Sequence, residues 1–425
     1  WSNGQVGQPV RIASTGKYQI LVKAWGSPAG GIWPEMALVV DGDDISRRRI
    51  VPESEDYHFV ADLSSGVHEI AIAFLNDAVV GTQDRNLYLI SITIMSPEGK
   101  AAPTLCDKRE IAEEAERRES EIVAATRQAI EKNRKADVVV RIVDSAGKPV
   151  ENAKVSAVQT SHEFLFGCNI YSFDRCNNEA LDSAYKKRFE ELFNYATVGF
   201  YWKWYEPKRG EPNYEYTDKV VAWCAQRGIM MKGHPLLWGH EAGVPSWSTG
   251  QPAPDIQRQR VEGIMKRYLG KIRYWEVVNE PSHLAEPKID EPYRWARQAD
   301  SNACLIVNDY HVLADGWPAF FGLLATARRN GVPFDGIGIQ AHEPRTMRFP
   351  LHRVQKVLDR YALLEKGLHI TEYTPTSAGD KITRSHRGGV WDEAAQADYA
   401  VKFYRICFAQ PAMRAITWWD LSDRG

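Results

Sequence analysis

Between residues 304 and 372 the chain reads CLIVND (304–309), FFGLLATARRNG (320–331), GIGIQAH (336–342), LHRVQKVLDRYALLEKG (351–367) and LHITE (368–372). The first, third and fifth pieces are short apolar runs of strand length, whereas the second and fourth are longer and amphipathic at helical spacing. Strand, helix, strand, helix, strand at this spacing predicts parallel β/α units. Working outward, the same alternation continues. FLFGC (164–168), ATVGF (196–200), IMMKGHPLLW (229–238) and YWEVVNE (274–280) precede it, and AITWWDL (415–421) follows. Segments such as SAYKKRFEELFNY (183–195) and YTDKVVAWCAQRG (216–228) supply helices between them. Eight such steps over roughly 260 residues match a TIM (β/α)8 barrel, and a doubly wound open sheet seldom uses eight.

Upstream the texture is different. YQILVKAWG (18–26), MALVVDGDD (36–44), HEIAIAFLND (68–77) and LYLISITIM (87–95) are short strands separated by turns, which predicts a small all-β sandwich. Pro97, Gly99 and Pro103 mark a break, and about half of the residues from Asp107 to Lys135 are charged. Ile111, Ala115, Ile122, Ala125 and Ile130 form one apolar stripe there, so the run reads as a solvated amphipathic helix. The expected division is a sandwich over 1–100, a linker and helix over 101–135, and the barrel over 136–425. VVVRIV (138–143), the turn DSAGKP (144–149) and AKVSAVQ (153–159) read as a hairpin packed on the barrel's edge.

Composition sets limits on function. The 425 residues carry 53 Lys+Arg against 55 Asp+Glu, a net charge of −2, and 44% are apolar. This balance gives no basic surface for nucleic acid, and no apolar run reaches the length of a membrane span. Six cysteines lie far apart without a CxxC pair, which fits free thiols better than a zinc ribbon or disulfide scaffold. The aromatic fraction, 11% with 14 Trp, is the one excess, and such rings serve sugar faces as well as cores. Gly336 to Ala341 fits a loose GxGxxA pattern, but Pro344 follows too soon for a phosphate-binding helix. The His-Glu pairs lack the second His of HExxH, and neither GxSxG nor a Walker loop occurs. The chain opens on Trp1 without a basic-then-apolar leader and stops at Gly425, just past the eighth strand and before a closing helix.

In a barrel the reactive side chains sit where strands end, at the C-terminal face. Glu280 ends the fourth strand and Glu372 the seventh, so the two carboxylates can face each other across the mouth. Retaining glycosidases use such a pair about 5–5.5 Å apart, one as nucleophile and one as acid/base. Spacing alone leaves open a pair of unrelated, ion-paired glutamates. Asn279, His342, Lys203, His234, Trp238, Gln340 and Trp419 all fall at or just past strand ends, a mixture of donors and indoles suited to a polyhydroxylated ring.

YWEVVNEP, GIGIQAH and HITEYT resemble the signatures of glycoside hydrolase family 10, the endo-β-1,4-xylanases and their relatives. The segment 130–167 resembles that family's entry, and the resemblance runs from about Ile122 to the end. It implies Glu280 as acid/base and Glu372 as nucleophile, with Asn279 on the sugar 2-hydroxyl and His342 orienting the nucleophile. It also implies that Lys203, His234, Trp238, Gln340 and Trp419 line the attacked sugar's subsite, and that Tyr310 is an aglycone-side platform. Catalysis would need no metal or organic cofactor. One run departs from the family: Thr197-Val-Gly-Phe-Tyr-Trp-Lys-Trp204 places Gly199 and Phe200 where a Glu and an Asn usually contact sugar, and Gly239 stands where a His is usual. Decorated xylan or another β-glycan is the expected consequence.

FLNDAVVGTQDRNLYLISITI (74–94) and GGIWPEMALVVDG (30–42) resemble the calcium-dependent xylan-binding modules of carbohydrate-binding families 36 and 60. That likeness implies Ca2+ held by Asp77 and Asp84, with Asn76 and Asn86 weaker candidates and Trp33 as a sugar platform. The whole then reads as a secreted, monomeric endo-β-1,4-xylanase acting on plant cell-wall xylan. The alternatives are a glycanase acting on a different β-linked polymer and a non-catalytic carbohydrate-binding protein.

Overall fold

The computed structural model describes residues 4–283, 288–314, 318–345, 347–383, 385 and 387–421. Residues 4–105 form two main antiparallel sheets and a small two-stranded ribbon, Val79–Val80 with Gln83–Asp84. Five strands run in the order Thr104–Leu105, Gly4–Ile12, Gly66–Phe74, Glu35–Val40 and Asp43–Arg49, and three in the order Glu55–Leu63, Gly16–Ser27 and Asn86–Met95. Period-two alternation explains their pairing: along Gly16–Ser27, Tyr18, Ile20, Val22 and Ala24 are buried while Lys17, Gln19 and Lys23 face outward. The inward residues meet Met36, Leu38, Phe59, Ile70 and Ile72 in one core. Asp41 and Gly42 turn the chain between two strands with φ of 51° and 84°, a two-residue hairpin turn that needs Gly or a short polar residue.

A single helix, Lys108–Arg134, leaves this module. Asp107 caps it by accepting from the Glu110 N–H at 2.8 Å, and the Glu110 carboxylate accepts from the Asp107 N–H at 2.9 Å. Its charged face is less solvated than the sequence suggests. The buried Glu119 carboxylate accepts from Arg348 at 2.9 Å and Lys402 at 3.0 Å, while Arg134 and Asn133 donate to carbonyls at Phe408, Gln410, Met413 and Ala409. Toward the sandwich, Arg118 pairs with Asp41 at 3.1 Å. The helix is therefore pinned at both ends by charge-assisted bonds rather than floating as a tether.

The expected hairpin after it is reduced to its turn. Asp144 and Lys148 exchange a backbone bond, and Val143 bridges Pro149, but the flanking runs form no ladder. Val138, Val139 and Val158 are more than four-fifths exposed, so this segment does not pack on the barrel edge. Alternating apolar residues around a good turn were legible; their docking surface was not.

From Leu165 the chain closes a parallel barrel of eight strands: Leu165–Asn169, Tyr195–Gly199, Met230–His234, Tyr274–Asn279, Cys304–Asp309, Gly336–Ile339, Gly367–Tyr373 and Met413–Trp418. Leu165 pairs with Ala415, which joins first strand to eighth. Strands buried on both faces call for largely apolar runs, and these are apolar but for buried polar residues such as Lys232, Glu276 and Asn308. Helices such as Glu179–Leu192, Glu215–Gln226, Leu351–Ala362 and Glu393–Ala409 cover the outside. Among the described residues no helix is long and apolar enough to cross a membrane. All six cysteines are free thiols, with Cys168, Cys224 and Cys407 buried.

Candidate active site

The strand ends converge on a cleft of about 550 Å³. Glu280 follows the fourth strand in a left-handed backbone conformation, φ 55°, fixed by its N–H donating to the Asn308 carbonyl at 2.8 Å. Such a conformation is costly for a residue with a side chain and is typical of functional positions. It aims the carboxyl at three donors: Trp238 Nε1 at 2.7 Å, Gln340 Nε2 at 2.9 Å and Asn279 Nδ2 at 3.2 Å. Glu372, near the end of the seventh strand, is buried and receives Asn308 Nδ2 at 3.0 Å. His342 Nε2 lies 3.1 Å from its other oxygen; a carboxylate has no proton to give, so Nε2–H is the donor. The opposite ring nitrogen sits 2.7 Å from Thr374 Oγ1, which fixes the ring.

The two carboxyls lie in opposite electrostatic environments. For Glu280, burial pushes the carboxyl upward; the bonds from Gln340 and Trp238 oppose this, and the charges of Glu372 and Asp309 add to the rise. For Glu372, burial also pushes upward, but the His342 bond and the charges of His234 and His342 win and hold it below the usual carboxylate range. One group is poised as an acid and the other as an anion.

Beneath them lies a layer that the sequence reading missed. Glu276, in the middle of the fourth strand and fully buried, accepts from Lys232 and from His234 Nδ1, both on the third strand. Burial would raise this carboxyl, yet Lys232 and His234 hold it down, so a charge triad orients the His234 ring toward the nucleophile. His234, Glu276 and Glu372 place one ligand atom each within 4.8 Å of one another. The adjacent Lys232 ammonium already neutralises Glu276, which disfavours a cation there. Gly233 is required here because a Cβ would lie 2.2 Å from the Trp275 ring. Asn308 was also missed. Its side-chain Nδ2 donates to Asn279 Oδ1 at 2.8 Å and to Glu372, and its side-chain Oδ1 accepts from Thr371 Oγ1 at 2.6 Å, tying fourth, fifth and seventh strands together. Charged or amide residues inside strands that should be apolar were the available signal for both.

His234, Trp238, Asn279, Tyr310, Gln340, His342 and Trp419 line the cleft together with Tyr201, His311 and Arg345. Lys203 does not. It sits on the short Trp202–Tyr205 helix with its ammonium 3.7 Å from Glu241, and Tyr201 fills the wall instead. Phe200 is fully buried against Tyr205, Tyr268 and Trp275 rather than facing a ligand, and Gly199 remains half-buried at a cavity wall.

In the sandwich, Asp77 and Asp84 flank the loop at 76–86. Burial and the charge of Asp84 both push the Asp77 carboxyl upward, the repulsion that a shared hard cation relieves. Asn76 is otherwise engaged, accepting from the Glu35 N–H at 2.7 Å and donating to the Trp33 carbonyl at 2.9 Å, so it shapes the loop. Asn86 donates to Asp84 Oδ2 at 3.1 Å. Arg85 consumes the carbonyls of Ala29, Ile32 and Asn76. Asp77 and Asp84 are the loop's two acidic side chains, and Trp33, whose carbonyl receives Asn76, is half-buried.

Residues 157–425, well over half of the chain, match the model of glycosyl hydrolase family 10. The chain belongs to that family. Residues 19–105 match CBM60, the Ca-dependent xylan-binding carbohydrate-binding module. The stretch 130–156, which resembles the family's entry, lies outside both matches. Among similar proteins, the anti-sigma-I factor RsgI6 of Acetivibrio thermocellus is 30% identical over 303 residues, 68% of this chain and 37% of that protein. Endo-1,4-beta-xylanase B of Thermotoga neapolitana is 28% identical over 260 residues, 55% of this chain and 71% of its own length. Endo-1,4-beta-xylanase 2 of Arabidopsis thaliana is 27% identical, and this chain spans 26% of it. The chain thus covers well under half of two of these relatives. The crystal structure of xylanase 10B from Thermotoga petrophila RKU-1 with xylobiose superposes with a TM-score of 0.52 at 24% identity, over 62% of this chain and 84% of that one, which establishes the barrel fold.

Proposed function

We propose that this family 10 hydrolase is a retaining endo-β-1,4-xylanase acting outside the cell on plant cell-wall xylan. The observation that carries the reading is the opposed state of two strand-end carboxyls in one cleft: Glu280 pushed up, Glu372 held down. Glu372 attacks the anomeric carbon while protonated Glu280 gives its proton to the departing oxygen. Glu280, now a carboxylate, then takes a proton from the water that releases the sugar from Glu372, so configuration is retained. His342 and Asn308 hold the nucleophile, and Trp238 and Gln340 hold the acid. Asn279 lies beside the acid, where a sugar 2-hydroxyl would pass. Tyr310 and Trp419 offer ring faces to sugar C–H surfaces. No cofactor enters these steps. In the sandwich, Asp77 and Asp84 would hold a calcium ion, which supplies further oxygen-binding positions for sugar hydroxyls.

Gly199 and the core-facing Phe200 favour a second reading of the substrate, a β-glycan with bulky decoration, because the glycone side has lost polar side chains and gained space. A product profile separates these. Incubation with plain xylan, glucuronoxylan, arabinoxylan, mixed-linkage glucan and cellulose should release xylo-oligosaccharides from the xylans. Products from a glucan alone would replace the substrate and keep the mechanism, and no products with retained polysaccharide binding would leave a binding protein.

A further inference from the structure

Next to the cleft, among the loops after the first and second barrel strands, lies a side cavity of about 480 Å³ walled by Tyr171, Arg175, Gly199, Tyr201, Trp204 and Asn213. Tyr201 also lines the cleft, so the two spaces share it as a wall. Tyr310, His311 and Arg345 lie at the other end of the cleft, after the fifth and sixth strands. Gly199 keeps one wall of the side cavity open: a Cβ there would stand 3.2 Å from the Tyr171 ring and 3.5 Å from that of Tyr201. A longer side chain there would crowd both rings and take up part of the cavity.

Three features of its wall are unspent. The Arg175 guanidinium lies 3.7 Å from the Tyr216 ring centroid and makes no ion pair among the described residues. Its sequence neighbour Asp174 is already paired with Lys186. The side-chain amide of Asn213 makes no hydrogen bond among the described residues, and Trp204 is 62% exposed, a large ring presented to solvent at the rim. Aromatic faces take the C–H surface of a pyranose ring, an amide takes its hydroxyls, and a planar guanidinium takes a carboxylate in a paired geometry.

We propose that this cavity is a branch-binding subsite for a uronic acid side group on a β-linked backbone lying in the cleft, with Arg175 pairing the uronate carboxylate. The proposal rests on the glycanase reading and deepens it by naming the decoration. A neutral pentose branch would leave the guanidinium unused, and a phenolic ester branch would use only the rings.

The test compares three oligosaccharides of one backbone length with the full chain: one bearing a glucuronosyl branch, one with that carboxyl reduced to the alcohol, and one bearing a feruloylated branch. The wild type should prefer the uronate over its reduced form by about three- to tenfold in kcat/KM, the range of a partly exposed charged pair. In Arg175→Gln that ratio should fall to about one, and in the wild type it should shrink when salt is raised from 0.05 to 0.5 M. Equal rates on charged and reduced branches, a ratio that survives Arg175→Gln, or a preference for the feruloylated branch would overturn the proposal. Calorimetric binding of the charged and reduced oligosaccharides to Glu372→Gln, with and without Arg175→Gln, is read in parallel. If the wild type cleaves none of the three, the hydrolase reading fails. The branch subsite then stands only if binding favours the uronate in an Arg175-dependent way.

Discussion

The barrel mouth and the sandwich loop both gather carboxylates, but by different means. At the mouth, Glu372 and Glu276 are buried, Glu280 is half-buried, and each is held by named donors on or just past the third, fifth and sixth strands. In the loop, Asp77 and Asp84 come from one short stretch, and the charge of Asp84 adds to the burial that pushes the Asp77 carboxyl upward. The first is organised before anything binds, which is what transition-state stabilisation requires. On the proposed reading, the second is completed by the cation it binds. Chemistry should therefore depend on the mouth's geometry, and affinity for polysaccharide on the loop's cation.

The sharpest way to break this contrast is Glu372→Gln. It should abolish turnover while polysaccharide binding persists; retained turnover would mean that the nucleophile lies elsewhere. Next in size, Glu280→Gln should cost roughly 10²–10⁴-fold on natural substrates. It should cost far less on an aryl glycoside whose leaving group needs no proton, and equal losses on both would remove the acid assignment. On the sandwich side, Asp77→Ala with Asp84→Ala should abolish the calcium-dependent part of xylan pull-down. Oligosaccharide hydrolysis is read in the same samples, and an equal loss there would show that the two regions are coupled.

Smaller effects follow from proton positions. The pH profile of kcat/KM should be bell-shaped, since Glu372 must be ionised, above its lowered pKa, and Glu280 protonated, below its raised one. His342→Gln removes a group that lowers Glu372, so the acidic limb should move to higher pH while the basic limb stays; an unmoved acidic limb would mean that His342 does not set the nucleophile. Smallest is Asp107→Ala, which removes the cap of the joining helix and should cost about 0.5–2 kcal/mol in thermal unfolding. If only the sandwich melts earlier, the helix belongs with the sandwich and not with the barrel it is pinned to.

How much of this the sequence could reveal depended on whether a local rule applied. Strand-end position exposed Glu280, Glu372, Gln340 and His342, because a barrel converts chain position directly into a place at the mouth. For Lys203 the rule is less direct, since the chain turns into a short helix after the second strand and places that side chain near Glu241. Glu276 and Asn308 went unnoticed because inward-facing polar residues within a strand gain meaning only when Lys232 and Thr371 on other strands are seen beside them. Phe200 looked like an altered sugar contact, yet its neighbours Tyr268 and Trp275 lie some 70 residues on and draw it into the core. The 138–159 stretch had strand propensity and a turn but lacked any partner that sequence could name.

Trapping the glycosyl-enzyme intermediate tests the central claim most directly. The full chain is treated with a 2-deoxy-2-fluoro xylobioside bearing an activated leaving group, digested and mapped by mass spectrometry. The predicted result is one sugar adduct on Glu372 in the HITEYT peptide, absent in Glu372→Gln. An adduct on Glu280 or Glu276, or turnover with inverted anomeric configuration and no adduct, would contradict it.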